Sequence, residues 1–368
     1  MKNYDVIIVG AGPAGIFSAI ELLKVNGKTK ILIVEKGRDI EKRACPMKIR
    51  EISCKACPEC SLLSGWGGAG AYSDGKLTLS PEIGGYLSRF VSEDELKSLL
   101  SYVDDIYREH GAPNEVYGRN EAEIARIVER AASYNLQLIP SKIRHIGTDR
   151  CKKVLKNMKD ALAGKIDIMF GAEAIRILTR KGGITGIKMK DGAKIFSDFV
   201  VLAPGREGSR WLEGEAKRLK LKLLKNPVDI GVRVEIPASV FEHLTRVAYE
   251  PKLVYYSKTF DDKVRTFCVN PNGEVVKEYL KGIWTVNGHS YARAQSKNTN
   301  FALLVSTFFT EPFDEPILYG RYIAGLANLL GKGVIIQRLG DLRMGRRSTH
   351  ERIKQGGVTP TLKDSTPG

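Results

Sequence analysis

The stretch YDVIIVGAGPAGIFSAIELL (Tyr4 to Leu23), followed after a polar break by ILIVEK (Ile31 to Lys36), carries the reading of this chain. Val6 to Val9 is a short apolar block rich in β-branched residues, as expected of a strand covered on both faces in a parallel sheet. It runs into Gly10, Ala11, Gly12, Pro13, Ala14 and Gly15, and then Ile16, Ala19, Ile20 and Leu23 recur at helical spacing. Ile31 to Val34 reads as a second buried strand that ends on Glu35 and Lys36. The order is strand, glycine turn, helix, strand, acid.

That order suits a dinucleotide. Gly10 allows the sharp turn, Gly12 lets a pyrophosphate approach the backbone, and Gly15 lets the helix lie close to the strand. The helix N-terminus offers unpaired N–H groups and the positive end of its dipole to phosphates. Glu35 stands where a carboxylate accepts the hydroxyls of an adenosine ribose, and its charge disfavours the 2′-phosphate of NADP.

The chain has 368 residues, enough for two domains with sizeable cores. Its hydrophobic content of 43% excludes a disordered or collagenous polymer. Asp5 and Glu21 interrupt the apolar N-terminal stretch, and no other segment is long and apolar enough to span a bilayer, so a cytoplasmic protein without membrane contact is expected. Lys and Arg exceed Asp and Glu by 58 to 42, a net charge of +16, with basic residues concentrated in Arg206 to Lys225 and Arg338 to Lys354. The segment from Trp211 to Lys225 reads as a helix with a solvated basic face. The alternative is a patch for RNA or an anionic substrate, although no nucleic-acid motif accompanies it.

Four of the six cysteines, Cys45, Cys54, Cys57 and Cys60, lie within sixteen residues. The spacing of the last three would turn their thiolates onto one centre, with Cys45 as a fourth ligand, and suits zinc or an iron–sulfur cluster. The other reading is free thiols or a redox-active pair. Ser64 to Leu77, SGWGGAGAYSDGKL, is too rich in glycine for a helix or strand and reads as a loop kept open for a ligand, with Gly67 and Gly68 at its centre. Asp74 in this loop either holds a polar ligand atom or caps a turn.

Ser92 to Glu95 forms a capping box that opens a helix running toward Gly111, and Asn120 opens another. A third follows His145, capped by Thr148; His145 itself reads as a packed or surface residue. From Ile166 the pattern changes to short strands: 166–170, 174–179, 184–190, 193–196 and a buried 199–202 ending in Ala203-Pro204-Gly205. Gly182-Gly183 and Asp191-Gly192 mark hairpin turns. Strands are expected again at 228–235, 253–256, 264–269 and 274–279.

The glycine motif with Glu35, the β-meander, and the strand ending in Ala203-Pro204-Gly205 resemble FAD enzymes of the glutathione-reductase and hydroxybenzoate-hydroxylase type. There an Ala-Thr-Gly closes the returning strand, and here Pro204 replaces the threonine. Gly65 to Leu77, VNGHS (Val286 to Ser290), NTNFALLVS (Asn298 to Ser306) and QRLGDLRMGRRST (Gln337 to Thr349) are similar to prokaryotic FAD-dependent dehydrogenase-like proteins of unassigned substrate. The resemblance covers essentially the whole chain. It implies an α/β fold: a Rossmann-type FAD-binding domain with a parallel sheet and β-meander, plus a mostly antiparallel substrate domain. The expected boundaries are 1–90 and 140–212 for the FAD domain, 91–139 for a helical insertion, and 213–368 for the substrate domain.

The resemblance implies an FAD-dependent oxidoreductase passing hydride or electrons between a small molecule and an acceptor. FAD would contact Gly10 to Gly15, Glu35, Lys36, Gly67, Gly68, Ala203 and Gly205, with Trp66 and Tyr72 beside the ring. His289, on a loop with Asn287 and Ser290, is the first candidate for a proton donor or acceptor, joined by Asn287 and Asp74. Arg343, Arg346 and Arg347 suit a carboxylate, a phosphate or a folding interface. No second glycine motif appears, so reduction would come from the substrate, a transient NAD(P)H, an electron-carrier protein or a cysteine-bound cluster. The family's late Gly-Asp motif has no match after a buried strand; Gly340-Asp341 has only the letters, and the C-terminal domain reads as incomplete. An NAD-dependent dehydrogenase without flavin and a flavin-containing RNA-binding or RNA-modifying protein stand as alternatives.

Overall fold

The computed structural model describes residues 3–46, 55, 57, 59–280, 282–291, 295–310, 312 and 315–368. The chain divides into two compact units, Met1–Ser73 with Arg150–Leu224, and Asp74–Asp149 with Lys225–Gly368.

The first unit is built on β1 (Asn3–Val9), α1 (Pro13–Val25) and β2 (Ile31–Glu35). After the chain returns come most of α4 (Thr148–Leu162), then β6 (Asp167–Phe170), β7 (Ala174–Arg180), β8 (Gly183–Met189), β9 (Lys194–Leu202) and α5 (Ser209–Arg218). Six strands form one sheet in the order β6-β2-β1-β9-β8-β7. The pairs β6–β2, β2–β1 and β1–β9 are parallel, while β9–β8 and β8–β7 are antiparallel. β1 and β2 are covered on both faces, and Ile7, Ile8, Leu32 and Ile33 are fully buried. Tyr4, Val9, Val34, Ile187 and Met189 close one side of this core.

Four local expectations shift. The two short strands expected at 193–196 and 199–202 are one continuous strand, β9, and Phe199 on it is exposed. The β7–β8 turn is carried by Lys181 and Gly182, both at positive φ, with Arg180 and Gly183 paired across it. The strand at 166–170 stands at the far edge of the sheet, parallel to β2, and not beside the hairpins. The basic helix ends at Arg218, because Lys220 turns to positive φ, and Leu221, Leu223 and Leu224 beyond it are exposed.

The second unit holds β3 (Lys76–Thr78), α2 (Glu93–Glu109), α3 (Glu121–Ala132), β4 (Gln137–Ile139) and β5 (Ile143–His145). It continues with β10 (Val228–Pro237), α6 (Ala238–Ala248), β11 (Lys252–Tyr256), β12 (Lys263–Asn270), β13 (Glu274–Leu280), β14 (Ile283–His289) and β15 (Asn298–Thr307). α7 (Pro316–Gly331), β16 (Ile335–Ile336), α8 (Leu339–Arg343), α9 (His350–Lys354) and β17 (Thr366–Pro367) complete it. Its main sheet has the order β10-β15-β12-β11-β4, and its inter-strand pairs are antiparallel. β13 and β14 form a separate hairpin, and β3 pairs with β5.

The caps at Ser92 and Asn120 hold as expected: each side chain accepts the N–H of the residue three positions on, Glu95 and Glu123. The two helices they open fall in the second unit, as do 74–90 and 140–149. β4, which follows α3, pairs with β11, so the hydrogen-bond ladder ties this segment to the later antiparallel sheet. Among the described residues, no helix is long and apolar enough to cross a membrane.

Candidate functional site

In the first unit, the β1–α1 turn is fixed by contacts that exclude side chains. A Cβ on Gly10, which sits at φ +104°, would meet the Ala203 carbonyl oxygen at 2.1 Å, and one on Gly15 would meet the Gly10 carbonyl oxygen at 2.0 Å. Gly12 is different: the nearest atom to a Cβ there is the Gly68 Cα, at 4.0 Å. Pro13 occupies the first turn of α1 and is exposed together with Ala14. Ile16 makes the first intrahelical bond, to the Gly12 carbonyl, so the Ala14 and Gly15 N–H groups have no helical acceptor.

Glu35 is buried, and its carboxylate gathers three backbone N–H groups. Oε2 accepts from Ala11 at 2.8 Å, and Oε1 accepts from Gly37 at 2.7 Å and Gly65 at 3.0 Å. A carboxylate has about four acceptor directions. One on Oε2 is left for a ligand hydroxyl. Glu35 therefore holds the turn and the glycine loop together, where the sequence had suggested a group given over to the ribose. The loop lies on the turn, with the Gly67 N–H donating to the Ala11 carbonyl at 2.7 Å.

Arg43 organises this loop from below. Its guanidinium is buried and donates to the backbone carbonyls of Ser61, Trp66 and Gly68. Burial pulls its pKa down to about 10, against the opposing pull of Tyr72 and Glu35. Trp66, expected beside a ring ligand, is fully buried, its indole N–H bonded to the Leu155 carbonyl and its ring edge-on to Phe170. The Tyr72 hydroxyl donates to the Arg43 carbonyl. Lys36 pairs with Glu207 at 2.5 Å, the Ala203 N–H is held by the Val9 carbonyl, and Gly205 is exposed at φ +60°. The arrangement fits the phosphates of a dinucleotide at the exposed helix start, and it offers a single acceptor for the adenosine ribose.

Of the expected metal ligands, Cys54 lies outside the described residues. Cys45, Cys57 and Cys60 are half-buried and form no disulfide among the described residues. Among the described residues, no group of three or more His, Cys, Asp or Glu side chains is placed to hold a metal ion. The expectation of zinc or an iron–sulfur cluster has no support there.

In the second unit, Asp74 and Asn287 enter one buried polar network. Lys76 is its hub: its ammonium lies 2.8 Å from Asp74, 2.5 Å from Glu250 and 2.8 Å from the Val269 carbonyl. Glu250 also pairs with Lys252 and accepts the Cys268 N–H. Burial pushes Asp74 above the usual carboxylate range even though Lys76 opposes it. Burial acts the same way on Glu250, but Lys76 and Lys252 outweigh it and hold Glu250 below that range. Lys76 stays protonated because its two carboxylates outweigh its burial. The Asp74 carboxylate thus holds Lys76 and the Asn270 amide.

The network continues from Asp74 through the Asn270 amide, at 2.6 Å, to Arg233. Asn287 accepts from Arg233 at 3.4 Å and donates to Glu278. Asn287 and His289 lie on β14, not on a loop, in register with Val276 and Glu274. His289 is buried at the end of that strand. Ser290 follows, with its hydroxyl 3.0 Å from both His145 Nε2 and the Tyr249 hydroxyl, while its carbonyl accepts from Thr148. Thr148 is the first residue of α4, and its hydroxyl is spent on Ser290. Ser290 is 1% exposed and Tyr249 is buried, so this His-Ser-Tyr group braces the start of α4, with His145 half-buried at its edge. Asp341 is likewise buried, accepting from Arg346 and Ser348 on the short helix α8 and the turn after it. Arg347 donates to the Pro367 carbonyl.

Arg43 and Arg233 escaped sequence reasoning. A single arginine in a loop or strand carries no local mark of burial, and only the register across β10, β15 and β12 assembles the partners of Arg233.

No protein-family model matches this chain. A relative from Clostridium beijerinckii, described as an uncharacterized protein, is 29% identical over 376 residues covering 96% of this chain. The chain spans 62% of that relative's length. Solved structures with detectable likeness include an L-amino acid deaminase from Proteus vulgaris lacking its specific insertion sequence. It is 14% identical with a TM-score of 0.40, covering 89% of this chain and 76% of that one. A glycine oxidase from Geobacillus kaustophilus is 16% identical, TM-score 0.39, covering 89% and 78%. The glycerol-3-phosphate dehydrogenase from Bacillus halodurans, complexed with FAD, is 14% identical, TM-score 0.39, covering 89% and 53%. Likeness at this distance assigns neither cofactor nor substrate to the chain.

Proposed function

We propose that this chain binds FAD at the β1–α1 turn and serves an oxidoreductase reaction on a small molecule. The observation that carries the reading is the contrast within the glycine motif: Gly10 and Gly15 are closed in by backbone, whereas a Cβ on Gly12 would meet only the Gly68 Cα, at 4.0 Å, beside an exposed helix start. A bare structural turn gives no reason for a glycine at that middle position. Pyrophosphate oxygens would take the Ala14 and Gly15 N–H groups. Glu35 would give its remaining acceptor to one ribose hydroxyl. FAD, when bound, supplies the hydride and electron chemistry. Asp74, Asn287 and His289 of the second unit would be the candidates for handling polar atoms and protons of the small molecule.

The test uses Gly12→Ala. The added methyl meets only the Gly68 Cα at 4.0 Å, so the variant should fold with unchanged urea stability. The purified wild-type chain should carry or take up FAD, seen as flavin absorbance released on heat denaturation, and the variant should hold at least about tenfold less, as loss of close phosphate approach implies. A wild-type preparation that stays colourless after incubation with FAD overturns the proposal. Tight NAD binding by that same preparation would favour the flavin-free dehydrogenase.

A further inference from the structure

We infer that the face of the second unit's sheet around Arg233 is a binding site for a small oxyanion, in the first instance a carboxylate. Three neighbouring strands each deliver one residue to it: Arg233 from β10, Asn300 from β15 and Asn270 from β12. Asn270 lies directly opposite Asn300 in the ladder, and Arg233 lies diagonally across from it, opposite Ala302. β14 contributes Asn287.

Arg233 is held by neutral acceptors. Its guanidinium donates to Asn300 Oδ1 at 2.6 Å, Asn270 Oδ1 at 3.1 Å, the Cys268 carbonyl at 3.2 Å and Asn287 Oδ1 at 3.4 Å. Among the described residues, no carboxylate lies within ion-pair distance of it; Asp74 reaches it only through the Asn270 amide and Glu278 only through Asn287. Carbonyl dipoles position a guanidinium but give its charge no direct ion pair, which is costly away from water.

Two polar atoms of this cluster are buried with no hydrogen-bond partner among the described residues, Arg233 Nε and Asn300 Nδ2. Asn300 is fully buried. Both orphans are donors, so what satisfies them is an acceptor, and a guanidinium with no direct ion pair favours an anionic one. The site also excludes its own side chains. A Cβ on Gly288 would fall 2.0 Å from Asn270 Oδ1, 2.3 Å from Asn300 Oδ1 and 2.5 Å from an Arg233 terminal nitrogen.

A carboxylate offers two acceptor oxygens on one planar group, one for each of the orphan donors, Arg233 Nε and Asn300 Nδ2. Calling this anion the substrate of the oxidoreductase rests on the function proposed above; the binding site itself does not.

The experiment titrates the full chain with sodium acetate and sodium benzoate, against sodium chloride at equal ionic strength, and reads the thermal unfolding midpoint and heat of binding. The wild type should show a saturable rise in midpoint that chloride does not give. Arg233→Gln should weaken it about tenfold or more, the loss expected of a charge-assisted hydrogen bond. Asn300→Asp places a carboxylate beside the guanidinium. It should raise the midpoint without added ligand and abolish the response to acetate and benzoate. No response beyond chloride in the wild type overturns the inference, because water alone then satisfies the donors. An equal response in Arg233→Gln, or a lowered midpoint for Asn300→Asp, overturns it as well. FAD content measured in the same preparations separates the two proposals: anion binding without flavin removes only the cofactor reading.

Discussion

Replacing Glu35 with glutamine tests the role given to its carboxylate in the first unit. The native side chain accepts three N–H groups, from Ala11, Gly37 and Gly65, at 2.7 to 3.0 Å. Glutamine has one acceptor oxygen. If that oxygen serves Gly37 and Gly65, the amide nitrogen faces the Ala11 N–H, donor against donor. One hydrogen bond is then lost outright and two lose the charge that strengthened them. Bonds to charged groups contribute about 1.5–3 kcal/mol each. The loss should therefore reach about 2–4 kcal/mol, allowing for relaxation of a half-satisfied site. Urea unfolding followed by Trp66 fluorescence reads the total. Amide hydrogen exchange reads its location, since Ala11, Gly37 and Gly65 should lose protection while amides of the β7–β8 hairpin keep theirs. A change under about 0.5 kcal/mol, the range of ordinary surface substitutions, would refute the reasoning. So would a large loss spread evenly over the unit.

Lys76→Met leaves Asp74 and Glu250 buried with their shared cation gone and should cost about 3–5 kcal/mol in urea unfolding. Adding Asp74→Asn to it should recover part of that loss. At pH 7, Glu250→Gln should destabilise more than Asp74→Asn, because Glu250 is held below its ordinary pKa and Asp74 above it. The signs follow from linkage: the stability Glu250 contributes is present above its unfolded pKa of about 4.3 and is lost as pH falls through its lowered value. That of Asp74 is present below about 3.9 and is already being lost as pH rises through its raised value, so unfolding curves across pH 3 to 8 should separate the two variants. Gly288→Ala should disorder the contact of Arg233 with Asn270 and Asn300, costing about 1–3 kcal/mol as overpacking does, visible in the same unfolding assay.

Sequence periodicity located β1, α1 and β2 because a strand buried on both faces and a helix with one apolar stripe leave local signatures. The caps at Ser92 and Asn120 were legible for the same reason: capping is settled within four residues. Asp74 and Asn287 stood out as polar residues in glycine-rich surroundings, and the structure brings both into one network. Their local setting was misread, since VNGH looks like a loop until Gly288 is seen to sit under the side chains of three other strands. What stayed hidden depends on long-range register. Arg233 and Asn300 lie on the adjacent strands β10 and β15, and neither has a neighbour in sequence that marks it as buried. The three donors on Glu35 could not be foreseen either, because Gly65 stands 30 residues along the chain from the carboxylate it reaches.

The pairing of β1 with β9 carries a consequence for synthesis. β2 can dock on one side of β1 as soon as it leaves the ribosome, but the opposite edge of β1 waits for Phe199 to Leu202, which emerge only after the whole of 74–149 has been made. Through that interval a strand of Val and Ile carries an open row of backbone donors and acceptors, the arrangement most prone to pairing with another nascent chain. Slow translation or a missing chaperone at this stage should send the protein into aggregates even where the finished fold is stable.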